Sequence, residues 1–303
     1  MQTLAQLTDN FAIPGILRFE QHDSLLSAHI QTPAAEATVY LHGAHLTHWQ
    51  PRGHQPVLFT SATADYKQGK AIRGGIPVIF PWFGARLPGP SFNDPKAPQH
   101  GFARTQTWSL DFAAHAGDDL HLSLTLAPTE VSRSYGYGPF RLALNLTIGR
   151  TLTAELTLAN DHNQPLTFEE ALHTYLAVAD VREVSIAGLK GELYLDKTEG
   201  LRRTHQTEDL VRFTCETDRP YLNTAATCTL HDPVLKRRIT VEKSGSSTTV
   251  VWNPWSELAA KLPDMEPDGW LRMVCIETAN AMENAITLPP GETHTMRAIL
   301  SVA

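Results

Sequence analysis

An all-β chain, folded as a large antiparallel sandwich with long loops, is what three features of the sequence predict. Apolar residues recur with a period of two, apolar positions at helical spacing are scarce, and Pro and Gly punctuate the pattern without dominating it. Leu120, Leu122, Leu124 and Leu126 alternate with polar residues in DLHLSLTLAP. FRLALNLTIGRTLTAELTLAN repeats the alternation twice, with Gly149 and Arg150 at the expected turn. Successive side chains of a strand point to opposite faces, so each run buries one face and wets the other. Two such sheets stacked on their apolar faces make the simplest architecture. Short helical turns are expected only in PWSELAAKL, where Ser256 is placed to cap, and around SATADYKQGKA.

With 303 residues, of which 42% are hydrophobic, the chain can bury a large core. It carries no repeat, low-complexity tract or linker-like shift in composition, so residues 1–303 are expected to form a single domain. A net charge of -7 argues against a nucleic-acid or anionic-membrane binder, which usually shows a basic footprint. An anionic ligand would have to be held by a few local arginines. The three cysteines, Cys215, Cys228 and Cys275, form no C-x-x-C pair and point to neither a disulfide framework nor a zinc ribbon. No secretory leader pattern and no apolar run of bilayer length is present, and a soluble cytoplasmic protein is expected.

The longest irregular stretch runs from about Thr60 to Gln106 and includes IRGGIPVIFPWFGARLPGPSFNDPKAPQHGFAR. Loops of this length inside a compact domain are usually functional or disordered, and the aromatics here argue for order. Arg73, Arg86, His100 and Arg104 then lie on an ordered, exposed surface, where guanidinium forks match carboxylate or phosphate oxygens. The alternative for each is a structural bond to loop carbonyls.

Two polar residues interrupt apolar strand-like runs. In EEALHTYLAV the alternation places Ala171, His173 and Tyr175 on one face and Leu172, Thr174 and Leu176 on the other. In RMVCIETAN, Glu277 ends a second such run, where a carboxylate is unfavourable unless it is bonded or used. A histidine and a carboxylate on two strands of one sheet can form a general acid and base pair. LHGAHLTHW places His42, His45 and His48 three apart, but on a strand His45 points away from the other two, which argues against a metal site. Neither a phosphate loop of the G-x-x-x-x-G-K type nor a G-x-S-x-G elbow occurs.

Seven stretches, LHGAHLTHWQP, IRGGIPVIFPWFG, QHGFAR, EALHTYLAV, ETDRPY, VWNPW and MVCIE, occur in that order between about residues 40 and 280. Together they resemble the D-hexose-6-phosphate mutarotases, or glucose-6-phosphate 1-epimerases, of the aldose 1-epimerase superfamily. The resemblance implies a galactose mutarotase-like β-supersandwich, a shallow sugar site, a phosphosugar substrate and no cofactor or metal. It also implies His173 as general acid, Glu277 as general base, and Arg73, Gln99, Arg104 and Asp218 as substrate-binding residues. His100 is similar to a histidine at the sugar site of the wider superfamily. One departure is Pro220, two residues after Asp218, because proline cannot donate to a sheet ladder.

The implied chemistry fits the residues. Opening a cyclic hemiacetal requires a base for the anomeric hydroxyl and an acid for the ring oxygen, and the reverse closure gives the other anomer. Arg73 and Arg104 would hold the 6-phosphate, and Trp82, Phe83 or Trp252 are placed to contact a ring face or to fill the core. A neutral-sugar epimerase with structural arginines, and a non-catalytic sugar-phosphate binder, are the alternatives. The sequence leaves open the oligomeric state, with a monomer compatible, and whether the loop from Arg86 to Pro98 closes over substrate.

Overall fold

A computed structural model describes residues 2–86 and 97–303; the greater part of the Arg86 to Pro98 loop therefore lies outside the described residues. The period-two runs form the expected strands. Asp119–Leu126, Arg141–Ile148 and Leu152–Ala159 are consecutive antiparallel neighbours in a nine-stranded sheet, with Leu122 opposite Leu146 and Leu144 opposite Leu156. The turn between the last two falls at Gly149 and Arg150. Their buried leucines join one core with Leu172, Leu176, Val251, Val274 and Ile276 of an eight-stranded sheet. Removing each such side chain from water contributes about 1.5–3 kcal/mol, which is what holds the two sheets face to face. A four-stranded sheet of the first 51 residues and a two-stranded ribbon complete the architecture.

Helices depart from expectation in four places, one of them the short helix Glu130–Ser134, which Thr129 caps. Leu4–Phe11 is helical, held by a capping box in which Thr3 and Gln6 bond each other's backbone, and it buries Leu7. The T-x-x-Q spacing before an apolar run is the signal for it. PWSELAAKL does form a turn, Trp255–Ala259, but Ser256 is not its cap: Asn253 Oδ1 accepts the Trp255 N–H at 2.9 Å. SATADYKQGKA contains no helix, because Ser61 and the Ala62 N–H bond Glu266 from another part of the chain, at 2.5 and 3.1 Å. No helix among the described residues is long and apolar enough to cross a membrane.

Pro220 is accommodated. Its strand, Thr217–Leu222, keeps full register with Thr248–Asn253, whereas the ladder to Leu193–Asp196 on the other side ends at Tyr221. A residue without an N–H stands where pairing on that side has stopped. Glu277, expected at the end of its run, sits inside the strand Met273–Asn280, every residue of which is buried.

The histidines of LHGAHLTHW have structural partners. His42 precedes the strand His45–Pro51, since Gly43 and Ala44 turn the chain with φ of 74° and 46°. The expected alternation of all three along one strand therefore does not apply. His42 Nε2 lies 2.6 Å from the Lys70 carbonyl, and His45, with no exposed surface, has Nε2 at 2.7 Å from the Gly74 carbonyl. Burial pulls the His45 pKa down from 6.5 to about 4, only partly offset by that carbonyl. Between those pH values the unfolded chain binds a proton that the folded protein refuses, so stability falls as pH drops through the window. The shift amounts to about 3 kcal/mol. Urea denaturation of the wild type and His45→Gln near neutrality and near about pH 4.5 checks this, with the variant expected to lose less stability on acidification.

Candidate active site

One register brings the histidine and the carboxylate together. Glu170–Leu172 and Tyr175–Ala177 both pair with Met273–Asn280, Leu172 opposite Thr278 and Tyr175 opposite Cys275. The interruption between the two short strands leaves His173 across from Glu277, with its N–H donated to the Pro77 carbonyl at 3.1 Å. His173 Nε2 faces Glu277 Oε1 at 3.5 Å. The alternation holds as expected: Leu172 and Leu176 enter the main core, while Ala171 and Tyr175 lie in small clusters on the other face. On that face the His173 ring stacks on Tyr175, 4.8 Å between centroids at 11°, and Trp252 meets both edge-on.

This face is the floor of a cleft of about 620 Å³ whose lining includes Arg73, Gln99, His100, Arg104, His173, Asp218 and Glu277. All seven residues singled out in the sequence thus converge. Loop backbone conformation achieves it on the rim. Gly75 has φ +62° and packs so closely on Leu46 that a Cβ would meet its carbonyl at 2.3 Å, which sets the chain next to Arg73. His100 and Gly101 are both left-handed; the His100 N–H donates to the Gly84 carbonyl at 2.7 Å, and the Gly84 N–H donates back to His100 Nδ1 at 3.2 Å. Arg73 donates to Tyr175 Oη at 3.2 Å and pairs with Asp264 at 3.0 Å. Arg104 donates to the Gln99 carbonyl at 2.8 Å.

Arg86, grouped with these cations in the sequence, lies elsewhere. Its guanidinium packs 4.8 Å over Trp82 and donates to the Tyr135 carbonyl in a neighbouring groove, where aromatic faces are the better partners for it. Trp82 belongs to the main core, whereas Phe83 and Trp252 line the cleft. Sequence reasoning missed Lys197, which enters the cleft, pairs with Asp218 at 2.7 Å and lies 5.7 Å over Phe83. It also missed Asp264 and Tyr175 as partners of Arg73. None of the three sits in a local pattern that distinguishes it from a surface charge or a core aromatic.

Burial dominates the electrostatics. It pushes the Glu277 carboxyl well above the usual carboxylate range, helped by the charge of Asp218 and opposed by Lys197 and Arg104. It drives the His173 imidazole well below its usual value, with Arg104 and Arg73 adding to the effect. Burial thus moves both members of the pair toward their uncharged forms. His100 is lowered by burial and Arg104 and is neutral too. Since its Nδ1 accepts from Gly84, its proton sits on Nε2. Burial pulls Arg104 down to about 10, which leaves it cationic near neutrality. For Arg73, burial is outweighed by Tyr175 and Asp264, which hold its pKa above the ordinary value.

Among the described residues one group brings metal-ligating atoms together: His173, Cys275 and Glu277, within 4.8 Å of one another. Burial raises the Cys275 thiol well above its ordinary value, as it does the Glu277 carboxyl. Burial disfavours the charged, ligating form of both, so the donor set as it stands suits proton transfer better than ligation.

A family model described as Aldose 1-epimerase matches residues 27–301. A protein of Escherichia coli (strain K12) bearing the name "Putative glucose-6-phosphate 1-epimerase" is 33% identical over 289 residues, covering 95% of this chain and 94% of its own. A protein of the same name from Salmonella typhimurium is 36% identical over 279 residues, covering 89% and 90%. The crystal structure of "a putative mutarotase (YeaD) from Salmonella typhimurium" matches with a TM-score of 0.89 at 31% identity, covering 97% of this chain and 95% of the other.

Proposed function

The chain belongs to the aldose 1-epimerase family, and from that membership we propose that it interconverts the α and β anomers of D-glucose 6-phosphate and related hexose 6-phosphates. The observation that carries the reading is the placement of His173 and Glu277, 3.5 Å apart, on the floor of a cleft whose lining includes Arg73 and Arg104. A sugar ring set over Trp252 puts its anomeric hydroxyl and ring oxygen within reach of the pair. Glu277, as carboxylate, takes the proton of the anomeric hydroxyl while His173, as imidazolium, gives one to the ring oxygen. The C1–O5 bond breaks, C1 becomes an aldehyde carbon, and rotation about C1–C2 followed by the reverse transfers gives the other anomer.

Ring opening leaves Glu277 protonated and His173 neutral, the direction in which burial moves both groups. Asp218, held by Lys197, accepts from sugar hydroxyls, Gln99 adds a polar amide, and His100 Nε2–H donates to a further oxygen. Arg73 and Arg104 hold the phosphate, which lets a chain of net charge -7 bind an anion. The chemistry needs no cofactor or metal, and we place the protein in the cytoplasm as a single domain.

Magnetisation-transfer NMR of anomer exchange tests the assignment. Exchange of glucose 6-phosphate well above that of glucose is expected, and Arg104→Gln should narrow the gap. A charge-assisted bond is worth about 1.5–3 kcal/mol, or roughly 10- to 150-fold. Equal rates on the two sugars, unchanged in the variant, would make this a neutral-sugar epimerase with structural arginines. Binding without turnover would make it a sugar-phosphate sensor.

A further inference from the structure

EEALHTYLAV opens with two carboxylates, and the role assigned to His173 uses neither. Glu169 is half-buried and lines the neighbouring groove, not the cleft. Both of its oxygens are taken by backbone: Oε2 accepts the Phe83 N–H at 2.8 Å and Oε1 the Met282 N–H at 2.6 Å. Its own N–H donates to the Pro81 carbonyl at 3.0 Å. One residue therefore ties three segments together. The first is the turn of Pro81, Phe83 and Gly84. The second, Glu170–Leu172, leads straight to His173, and the third follows Met273–Asn280, the strand of Glu277. Met282 stands in that third segment with φ 58°, a left-handed conformation uncommon outside glycine, and the bond to its N–H holds it there. The Phe83 end reaches the site directly, because Phe83 and Gly84 line groove and cleft alike. The Phe83 ring meets the His100 ring edge-on, 4.9 Å between centroids, and the His100 ring lies 5.5 Å from that of His173. Gly84 holds His100 at two points, its N–H on Nδ1 at 3.2 Å and its carbonyl on the His100 N–H at 2.7 Å. With the peptide before Phe83 fixed by Glu169, only the two dihedrals of Phe83 separate it from the plane that carries the Gly84 N–H.

We propose that Glu169 is a positioning residue of the epimerisation: its carboxylate clamps the turn that orients His100 to the strand ends that carry His173 and Glu277. It touches no substrate and transfers no proton. The clamp needs two acceptors, which a carboxylate offers and an amide does not, because the NH2 of a glutamine would face an N–H. Reacting groups displaced by about 1 Å lose roughly 10²-fold in rate. Turnover, more than affinity, is therefore what the clamp protects. This inference rests on the epimerase reading above.

Glu169→Gln, which keeps the size of the side chain, and Glu169→Ala test this against the wild type. Anomer exchange of glucose 6-phosphate over a range of concentrations gives kcat and KM, and 15N shifts of the histidine rings report the His100 tautomer. Asp232→Asn is the control, since Asp232 is buried and accepts the N–H groups of Ala179, Val234 and Leu235 without lining the cleft. Both Glu169 variants should lose about ten- to a hundredfold in kcat with little change in KM, and His100 should become a mixture of tautomers as Nδ1 loses its donor. The control should melt earlier yet keep kcat and the His100 shifts. Glu169 variants that melt earlier with kcat and His100 unchanged overturn the positioning role and leave a structural brace. Amide exchange in the wild type gives a reading that does not depend on the variants folding: protected Phe83 and Met282 amides support the clamp, and exchange at open-loop rates overturns it. A wild type that exchanges the anomers of neither glucose 6-phosphate nor glucose, with His100 still held in one tautomer, overturns the epimerase reading and the positioning role with it.

Discussion

Glu277→Gln is expected to slow glucose 6-phosphate exchange by about 10²- to 10⁴-fold, the usual contribution of a positioned acid or base, with little change in stability. The reason for both halves lies in the state of the free site. Glu277 is 1% exposed, and burial and Asp218 push its carboxyl well above the usual carboxylate range. The amide is nearly isosteric with the carboxyl, so the exchange leaves no cavity and puts no new charge in the buried site. It removes only the ability to become a carboxylate and accept the anomeric proton. His173→Ala should lose a similar factor but also melt earlier, because it deletes a ring packed against Tyr175 and Trp252. Comparing melting temperatures with exchange rates for the two variants separates chemistry from packing. A Glu277→Gln protein retaining more than a tenth of wild-type exchange would remove Glu277 from the mechanism.

The site residues were legible where local pattern and chemistry disagreed. A histidine within EEALHTYLAV and a carboxylate within RMVCIETAN interrupt runs that burial would otherwise make apolar, and the period of two placed His173 beside Tyr175 on the face away from the core. What pattern could not supply is that the two runs are neighbours in register, because pairing between distant strands is set by the whole sheet. Lys197 escaped notice for a related reason. It follows the strand Leu193–Asp196 in a short 3₁₀ turn and meets Asp218 only because Leu193–Asp196 pairs with Thr217–Leu222. Helix expectations failed where one side-chain bond from afar decided the local conformation, as Glu266 does at Ser61. At the amino terminus the capping pair Thr3 and Gln6 was a sufficient signal, passed over among the stronger β pattern.

Gly101→Ala is expected to destabilise the protein by about 2–6 kcal/mol and to lower exchange even in the folded fraction. Gly101 has φ +71°, and a left-handed alanine adds strain of about 1–3 kcal/mol. Space makes matters worse: a Cβ there would meet the Phe80 carbonyl oxygen at 2.0 Å and the Pro81 nitrogen at 2.7 Å. That carbonyl accepts from the N–H groups of Phe102 and Ala103, at 3.0 and 3.2 Å. Moving it away loses bonds worth about 0.5–1.5 kcal/mol each, and Phe80 is anchored among Phe102, Phe140 and Phe168 and cannot yield freely. The flanking residues carry the functional consequence, since His100 precedes the glycine and Arg104 follows it by three. Gly15→Ala and Gly53→Ala are the comparison, because both have positive φ but nothing within 4 Å of the new methyl. Each should lose only about 1–2 kcal/mol of conformational strain and keep full exchange. Urea midpoints and exchange rates of the three variants check this, and a Gly101→Ala protein no worse than the other two would mean that the turn does not hold His100 and Arg104 in place.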